Sequence, residues 1–383
     1  MGALVRAATP PEAARPGSRP GTNLAALRAF AYTIPTDLPE ADGTFAWEST
    51  TLVLVEVEAG GETGTGYTYT TEAAVPLITG ALWRAIRSWD PMDAPGAWRA
   101  MNVAVRNVGR DGIAANAISA VDTALWDLKA RLLDQPLALL FGRYRDAVPI
   151  YGSGGFTTYT HKQLSDQLAG WVERDGCAWV KMKIGTHPEE DRERVRIAKD
   201  AIGERALFVD ANGAYRTKQA LEFAEIFARE ADIRWFEEPV SSDDLAGLRF
   251  IRRHAPAGIE VAAGEYGYDT DYFRIMLSSG AVDVQQADVT RCGGYTGFLQ
   301  AAALCEAHHI DLSGHCAPSL HLPVACAAPR FRHLEWFHDH VRIEHMLFEG
   351  APRPKDGMIR PDLSRPGHGL EFKFKDAERF RVA

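Results

Sequence analysis

The sequence predicts an α/β protein, a closed barrel of eight parallel strands preceded by a smaller α+β unit that caps it. The main observation is a repeat. After Asp146, eight β-rich runs, VPIYGSG, WVKMKIG, ALFVDANG, IRWFEEPV, EVAAGEYG, VDVQQADV, IDLSGHCA and HLEWFHD, recur at intervals of about 22 to 31 residues. That interval is the length of one strand plus one returning helix. A second observation is negative: no GxGxxG follows an early strand and no phosphate-loop pattern is present, so the marks of an open doubly wound sheet are missing. Eight such units close into a parallel barrel.

Ahead of the repeat, TLVLVEVEAGGETGTGYTYT alternates apolar and polar residues on both sides of Gly60 and Gly61, the pattern of an antiparallel hairpin. IAANAISAVDTALWDLKARLL then spaces Ile118, Val121, Leu125 and Leu128 three and four apart, which predicts a helix that buries one face. Residues 23–145 are thus expected to form the capping domain and residues 146–345 the barrel. Residues 346–383 are turn-rich and end on one apolar alternation in GLEFKF, so they are expected to return and pack on the cap. Residues 1–22, rich in Ala, Pro, Arg and Gly, read as a flexible extension.

A chain of 383 residues with 46% apolar and 24% charged residues has an ordinary globular composition. Its net charge of -9 and its lack of basic runs argue against nucleic acid or an anionic membrane as partner. The five cysteines form no CxxC pair, which speaks against a disulfide framework or a zinc site and suits a reducing cytoplasm. Closed homo-oligomers are the common assembly for such chains.

Barrel enzymes work at the carboxyl ends of their strands, so the end of each run matters most. The second run ends in Lys181 and Lys183, two apart and hence on one face, and the third in Asp210 and Asn212 in the same relation. Glu237 and Glu238 close the fourth, Glu265 the fifth, Asp288 the sixth, His315 the seventh and Glu335 the eighth. Asp210, Glu237 and Glu265, from neighbouring strands, make the all-oxygen shell that a hard cation such as Mg²⁺ prefers. Two ammonium groups as close as Lys181 and Lys183 disfavour each other's charge, so one is expected to be neutral and act as a base; Lys183 is the choice, with Lys181 on a substrate carboxylate.

Asp288 and His315 end consecutive runs, where the carboxylate can fix the imidazole in one tautomer and make a second base opposite Lys183. His338 and His340, in WFHDHV, could pair on zinc, but no complementary ligands are visible in the sequence and both read as structural. Removing a proton α to a carboxylate builds negative charge on oxygens, which preorganised donors and a metal stabilise. Mg²⁺, Lys181 and a protonated Glu335 would hold the substrate carboxylate while Lys183 or His315 moves the proton.

In order and spacing, AISAVDTALWDLKAR, the KMK of Lys181 and Lys183, VDANGAY, FEEP, AGE, DVTRCGG, SGH, HLE and PGHG resemble the mandelate racemase branch of the enolase superfamily, from about residue 25 to the end. A lysine or histidine base with Mg²⁺ is a known pattern of that superfamily. The resemblance implies a (β/α)₇β modified TIM barrel under an α+β cap. It also implies one Mg²⁺ on Asp210, Glu237 and Glu265, a Lys183 base, an Asp288 and His315 dyad, and Glu335 as hydrogen-bond donor to the carboxylate. The muconate-lactonizing and dipeptide-epimerase branches are similar but carry a lysine where this chain has Asp288.

Members with both bases include racemases and acid-sugar dehydratases, so dehydration of an acid sugar to a 2-keto-3-deoxy acid is expected. Racemisation or epimerisation of a 2-hydroxy acid by the same bases is the alternative. A barrel that only binds metal and metabolite would gain nothing from two opposed proton carriers. Substrate selection is expected in the capping loop around Phe45 and Trp47, with Asn212 at the barrel mouth.

Overall fold

The structure, a computed structural model, describes residues 23–383. The expected extension, residues 1–22, lies outside the described residues. β1 (Ala26–Ala41), β2 (Ala46–Ala59) and β3 (Glu62–Tyr69) form an antiparallel sheet, with Gly60 and Gly61 in the β2–β3 turn at φ 60° and 87°. Alternation along β2 sends Leu52 and Leu54 into one apolar cluster and Val53, Val55 and Val57 into another, so both faces of the sheet are buried. Helix Ile113–Leu132 lies directly on β3, where a Cβ on Gly64 would meet the Ala124 carbonyl at 2.3 Å and one on Gly66 the Thr123 hydroxyl at 2.2 Å.

The expectation of one buried face on that helix is corrected. Its polar stripe is buried as well, because it bonds the cap to the rest of the chain. Ser119 accepts the Gly293 N–H at 2.9 Å, and Asp122 accepts the Thr296 N–H at 2.9 Å and hydroxyl at 2.7 Å. Asp127 accepts from the Thr65 and His368 backbone N–H groups at 2.9 and 2.8 Å. His368 belongs to the C-terminal segment, which runs on to bond Ala31 of β1 through the Val382 N–H at 2.8 Å.

The eight expected runs are the strands β4 (Val148–Gly154), β5 (Trp179–Lys183), β6 (Ala206–Asp210), β7 (Trp235–Glu237), β8 (Glu260–Ala263), β9 (Val284–Ala287), β10 (Asp311–Gly314) and β11 (Phe331–Phe337). All pair in parallel, and β11 returns to β4 through Leu334 opposite Ile150 and Glu335 opposite Tyr151, which closes the barrel. Inside, Phe208 stacks on Trp235 at 5.1 Å, with Tyr151 and His333 against them at 5.5 and 5.2 Å. This aromatic layer fills the barrel beneath the strand ends and keeps water from reaching them from below.

Because β3 meets the helix backbone, Gly64→Ala or Gly66→Ala should destabilise the fold by about 1–3 kcal/mol. Urea unfolding checks this; an unchanged midpoint would mean that the helix can retreat at no cost.

Candidate active site at the barrel mouth

Strand register assembles the site. Lys183 of β5 lies opposite Asp210 of β6, and Asp210 opposite Glu237 of β7, so three charged side chains form one row at the strand ends. Glu265 follows β8 by two residues, and carboxylate oxygens of Asp210, Glu237 and Glu265 lie within 4.8 Å of one another. All three are buried. Lys183 Nζ lies 2.6 Å from Asp210 Oδ2, and Lys181 Nζ lies 2.5 Å from Glu237 Oε1 and 2.8 Å from Glu335 Oε1. Ser153 donates to Glu335 at 2.5 Å and the Trp235 indole to Glu237 at 2.9 Å.

Two charge states differ from the sequence expectation. Lys183 was to be neutral through repulsion by Lys181. Burial is the largest influence and lowers its pKa, but the carboxylates of Asp210, Glu265 and Glu237 together outweigh burial and Lys181 and raise it above the ordinary lysine value. Glu335 was to be protonated. Burial pushes it that way, yet Lys181, with His315 and Lys183, holds it well below the usual carboxylate range, so it accepts hydrogen bonds and does not donate them. In both cases the cause is charge pairing in a dry setting, where several opposite charges together exceed the desolvation penalty. Glu237 goes the other way: burial and then Asp210 push it up to about 8.

On the other side, His315 Nδ1 lies 2.8 Å from Asp288 Oδ2 and its Nε2 lies 3.1 Å from Glu265 Oε2. Asp288 is itself fixed by the N–H and hydroxyl of Thr290, both at 2.7 Å. Burial lowers the His315 pKa, but the surrounding groups, Cys316, Glu265, Glu335 and Asp288, reverse this and raise it well above the histidine norm. The two residues after it, Cys316 and Ala317, both have positive φ, 54° and 37°. This costly turn is held by the Cys316 N–H on Glu335 at 3.1 Å and the Ala317 N–H on His340 at 3.2 Å. His340 thus has the structural role read for it.

Asn212 sits beside the row with φ 45°, its N–H on Asp210 at 2.9 Å and its buried side-chain oxygen without a hydrogen bond. The capping loop reaches the mouth, as Thr186 donates to the Asp42 carbonyl at 2.6 Å. Trp47 packs on Phe156, in the apolar cluster that contains Cys316. Phe45, by contrast, only stacks on the outer side of Trp47 and is 67% exposed, so the structure does not bring it to the site.

Three residues were missed as site members. Glu238 is buried with Oε1 unbonded, and burial, then Glu265 and Asp210, raise its pKa well above normal. Arg291 lies 3.5 Å from Glu265 and 3.6 Å from Asp288. Cys316 Sγ is 3.3 Å from His315 Nε2. Arg291 was signalled by its place three residues after Asp288; nothing in the sequence marks the thiol.

Residues 33–142 match the mandelate racemase / muconate lactonizing enzyme N-terminal domain, and residues 163–377 match the enolase C-terminal domain-like family. The chain belongs to the mandelate racemase branch of the enolase superfamily. A mandelate racemase/muconate lactonizing enzyme-like protein from Rubrobacter xylanophilus superposes with a TM-score of 0.92 at 49% identity, covering 94% of this chain and 100% of that one. The 3,6-anhydro-alpha-L-galactonate cycloisomerase of Streptomyces coelicolor is 32% identical over 93% of this chain and 99% of its own length. The L-talarate/galactarate dehydratase of Salmonella typhimurium LT2, liganded with Mg and L-lyxarohydroxamate, superposes with a TM-score of 0.87 at 26% identity, covering 97% and 96% of the two chains.

In this mandelate racemase relative, Asp288→Asn should lower the pH at which His315 titrates, because one of the charges favouring the imidazolium is gone. An NMR titration of His315 reads this, and an unmoved midpoint would deny that Asp288 sets its charge.

Proposed function

We propose that this chain is a Mg²⁺-dependent lyase that removes the proton α to the carboxylate of an acid sugar and expels the β-hydroxyl, giving a 2-keto-3-deoxy acid. One observation carries the reading: a lysine and a Asp-supported histidine flank a cluster of three buried carboxylates from opposite sides. The Mg-liganded dehydratase among the relatives supports it.

The residues fit the metal. Asp210, Glu237, Glu238, Glu265, Asp288 and Glu335 are six buried carboxyl groups, facing Lys181, Lys183, Arg291 and His315 as four cationic partners. The carboxyl groups outnumber the cationic partners, and Asp210, Glu237 and Glu265 offer the oxygen donors that Mg²⁺ takes. Asp210, Glu237 and Glu265 would hold the ion, which would supply charge stabilisation for the substrate carboxylate; carboxylates neutralised by an ion no longer favour the charged form of Lys183, which lets it serve as a base.

Lys183 Nζ then takes the α-proton. Lys181, fixed between Glu335 and the barrel wall, donates to a carboxylate oxygen of the developing enediolate. Glu335 positions Lys181 and the Cys316 N–H as an ionised acceptor. His315, its Nδ1 proton held by Asp288, carries on Nε2 the proton that leaves with the β-hydroxyl as water. Asn212 accepts from a substrate hydroxyl, and Trp47 shields the mouth. The same opposed pair would serve racemisation of a 2-hydroxy acid, with His315 returning a proton to the carbon. The five cysteines, all free and buried, suit a reducing cytoplasm.

Purified protein with Mg²⁺, screened against mono- and diacid sugars, should yield keto-acid product, and the α-hydrogen should exchange in D₂O. A chain that binds acids without exchange is a binding barrel and ends the proposal; exchange with inversion and no keto acid makes it a racemase. Lys183→Ala and His315→Asn should each cut turnover by about 10²-fold or more. Full activity in either removes that residue from the mechanism. Calorimetry should find Mg²⁺ binding weakened more by Glu237→Gln than by Glu238→Gln, and the reverse order would exchange their assignments.

A further inference from the structure

A second group of metal-type ligands lies where the cap meets the barrel. The β1–β2 ladder shifts register between Pro35 and Glu40, and Asp37 lies within that break. From the barrel side comes His338, the first residue of helix His338–Leu347, just after β11. His338 Nε2 is 3.1 Å from each oxygen of the Asp37 carboxylate. One donor atom from each of Asp37, Glu40 and His338 lies within 4.8 Å of the others.

Glu40 supplies the independent observation. It is 1% exposed, its Oε2 accepts from the Trp47 indole at 2.8 Å, and its Oε1 is buried with no hydrogen-bond partner. A buried carboxylate with a bare oxygen needs a cation or a proton. Among the described residues no Lys or Arg forms an ion pair with Glu40, and the one nearby guanidinium, Arg342, is committed to the buried Asp339. Asp339 adds a further negative charge, so the seam holds three carboxyl groups against Arg342 and an imidazole.

We propose that Asp37, Glu40 and His338 form a second divalent-cation site, separate from the barrel-mouth cluster, that clamps the end of β1 to the helix after β11. One imidazole and two carboxylates are the donors of a borderline ion such as Zn²⁺ or Mn²⁺, unlike the all-oxygen set at the barrel mouth. Donors around a tetrahedral Zn²⁺ sit about 3.4 Å apart, from bonds of about 2.0–2.1 Å. The His338 and Asp37 pair, at 3.1 Å, is close to that separation, and a Glu40 oxygen lies within 4.8 Å of both. Since Glu40 also holds the Trp47 indole, the ion would fix the capping loop over the mouth.

The experiment is metal stoichiometry on the full chain kept in excess Mg²⁺ and dialysed against micromolar Zn²⁺. Wild type should retain one more equivalent of Zn²⁺ than His338→Asn or Asp37→Asn, and Zn²⁺ should raise the melting midpoint of wild type but not of either variant. Glu237→Gln, altered only at the barrel mouth, should keep the extra equivalent, which separates this site from the proposed catalytic one. Asp37 is exposed over 44% of its side chain, so its variant tests the site even if His338→Asn does not fold. Equal Zn²⁺ content in wild type and the folded variants, or a loss in Glu237→Gln alone, overturns the proposal.

Discussion

The arrangement depends on one constraint: six acids and four bases share a cavity that water cannot reach from below. In such a setting an unpaired charge costs several kcal/mol, so each group's protonation is fixed by its neighbours more than by pH. Lys181 illustrates this. Burial alone would strip its proton, but contacts with Glu237 and Glu335 hold its pKa well above the lysine norm. Glu238, buried beside Glu265, Asp210 and Glu237, has its pKa raised well above the carboxylate norm, with Lys183 opposing only in part. The site is therefore a charge-balanced unit, and a change at one member is felt by the others.

Parallel strand register places these groups. Lys183, Asp210 and Glu237 stand side by side because β5, β6 and β7 pair without a bulge at their ends. The aromatic layer of Tyr151, Phe208, Trp235 and His333 serves as packing and as insulation, and it also orients the acids, since the Trp235 indole bonds Glu237. Rigid elements thus hold the charged ends, while the cap supplies the loop that borders the mouth. Buried polar bonds to Ser119 and Asp122 tie the two parts together and make the position of that loop a property of the whole fold.

The barrel was legible because its signal is local and repeated: each strand is a short apolar run and each helix an amphipathic return. Strand-end residues were legible for the same reason, since direction along a parallel strand is enough to say which end faces the mouth. Legibility ended where a property depends on contacts distant in sequence. Asp127 reads as the polar face of a surface helix until the tail, about 240 residues later, is seen to donate to it.

By itself, the sequence determined the fold class, the strand order around the barrel, and the residues that converge at its mouth, because periodicity and strand direction are properties of neighbouring residues. Only the tertiary structure decided the charge states of Lys183 and Glu335, the membership of Glu238, Arg291 and Cys316, the exclusion of Phe45, and the partners of His338. Those depend on which opposite charges lie within a few ångströms and how much water remains between them, and both are set by packing across segments that the sequence keeps apart.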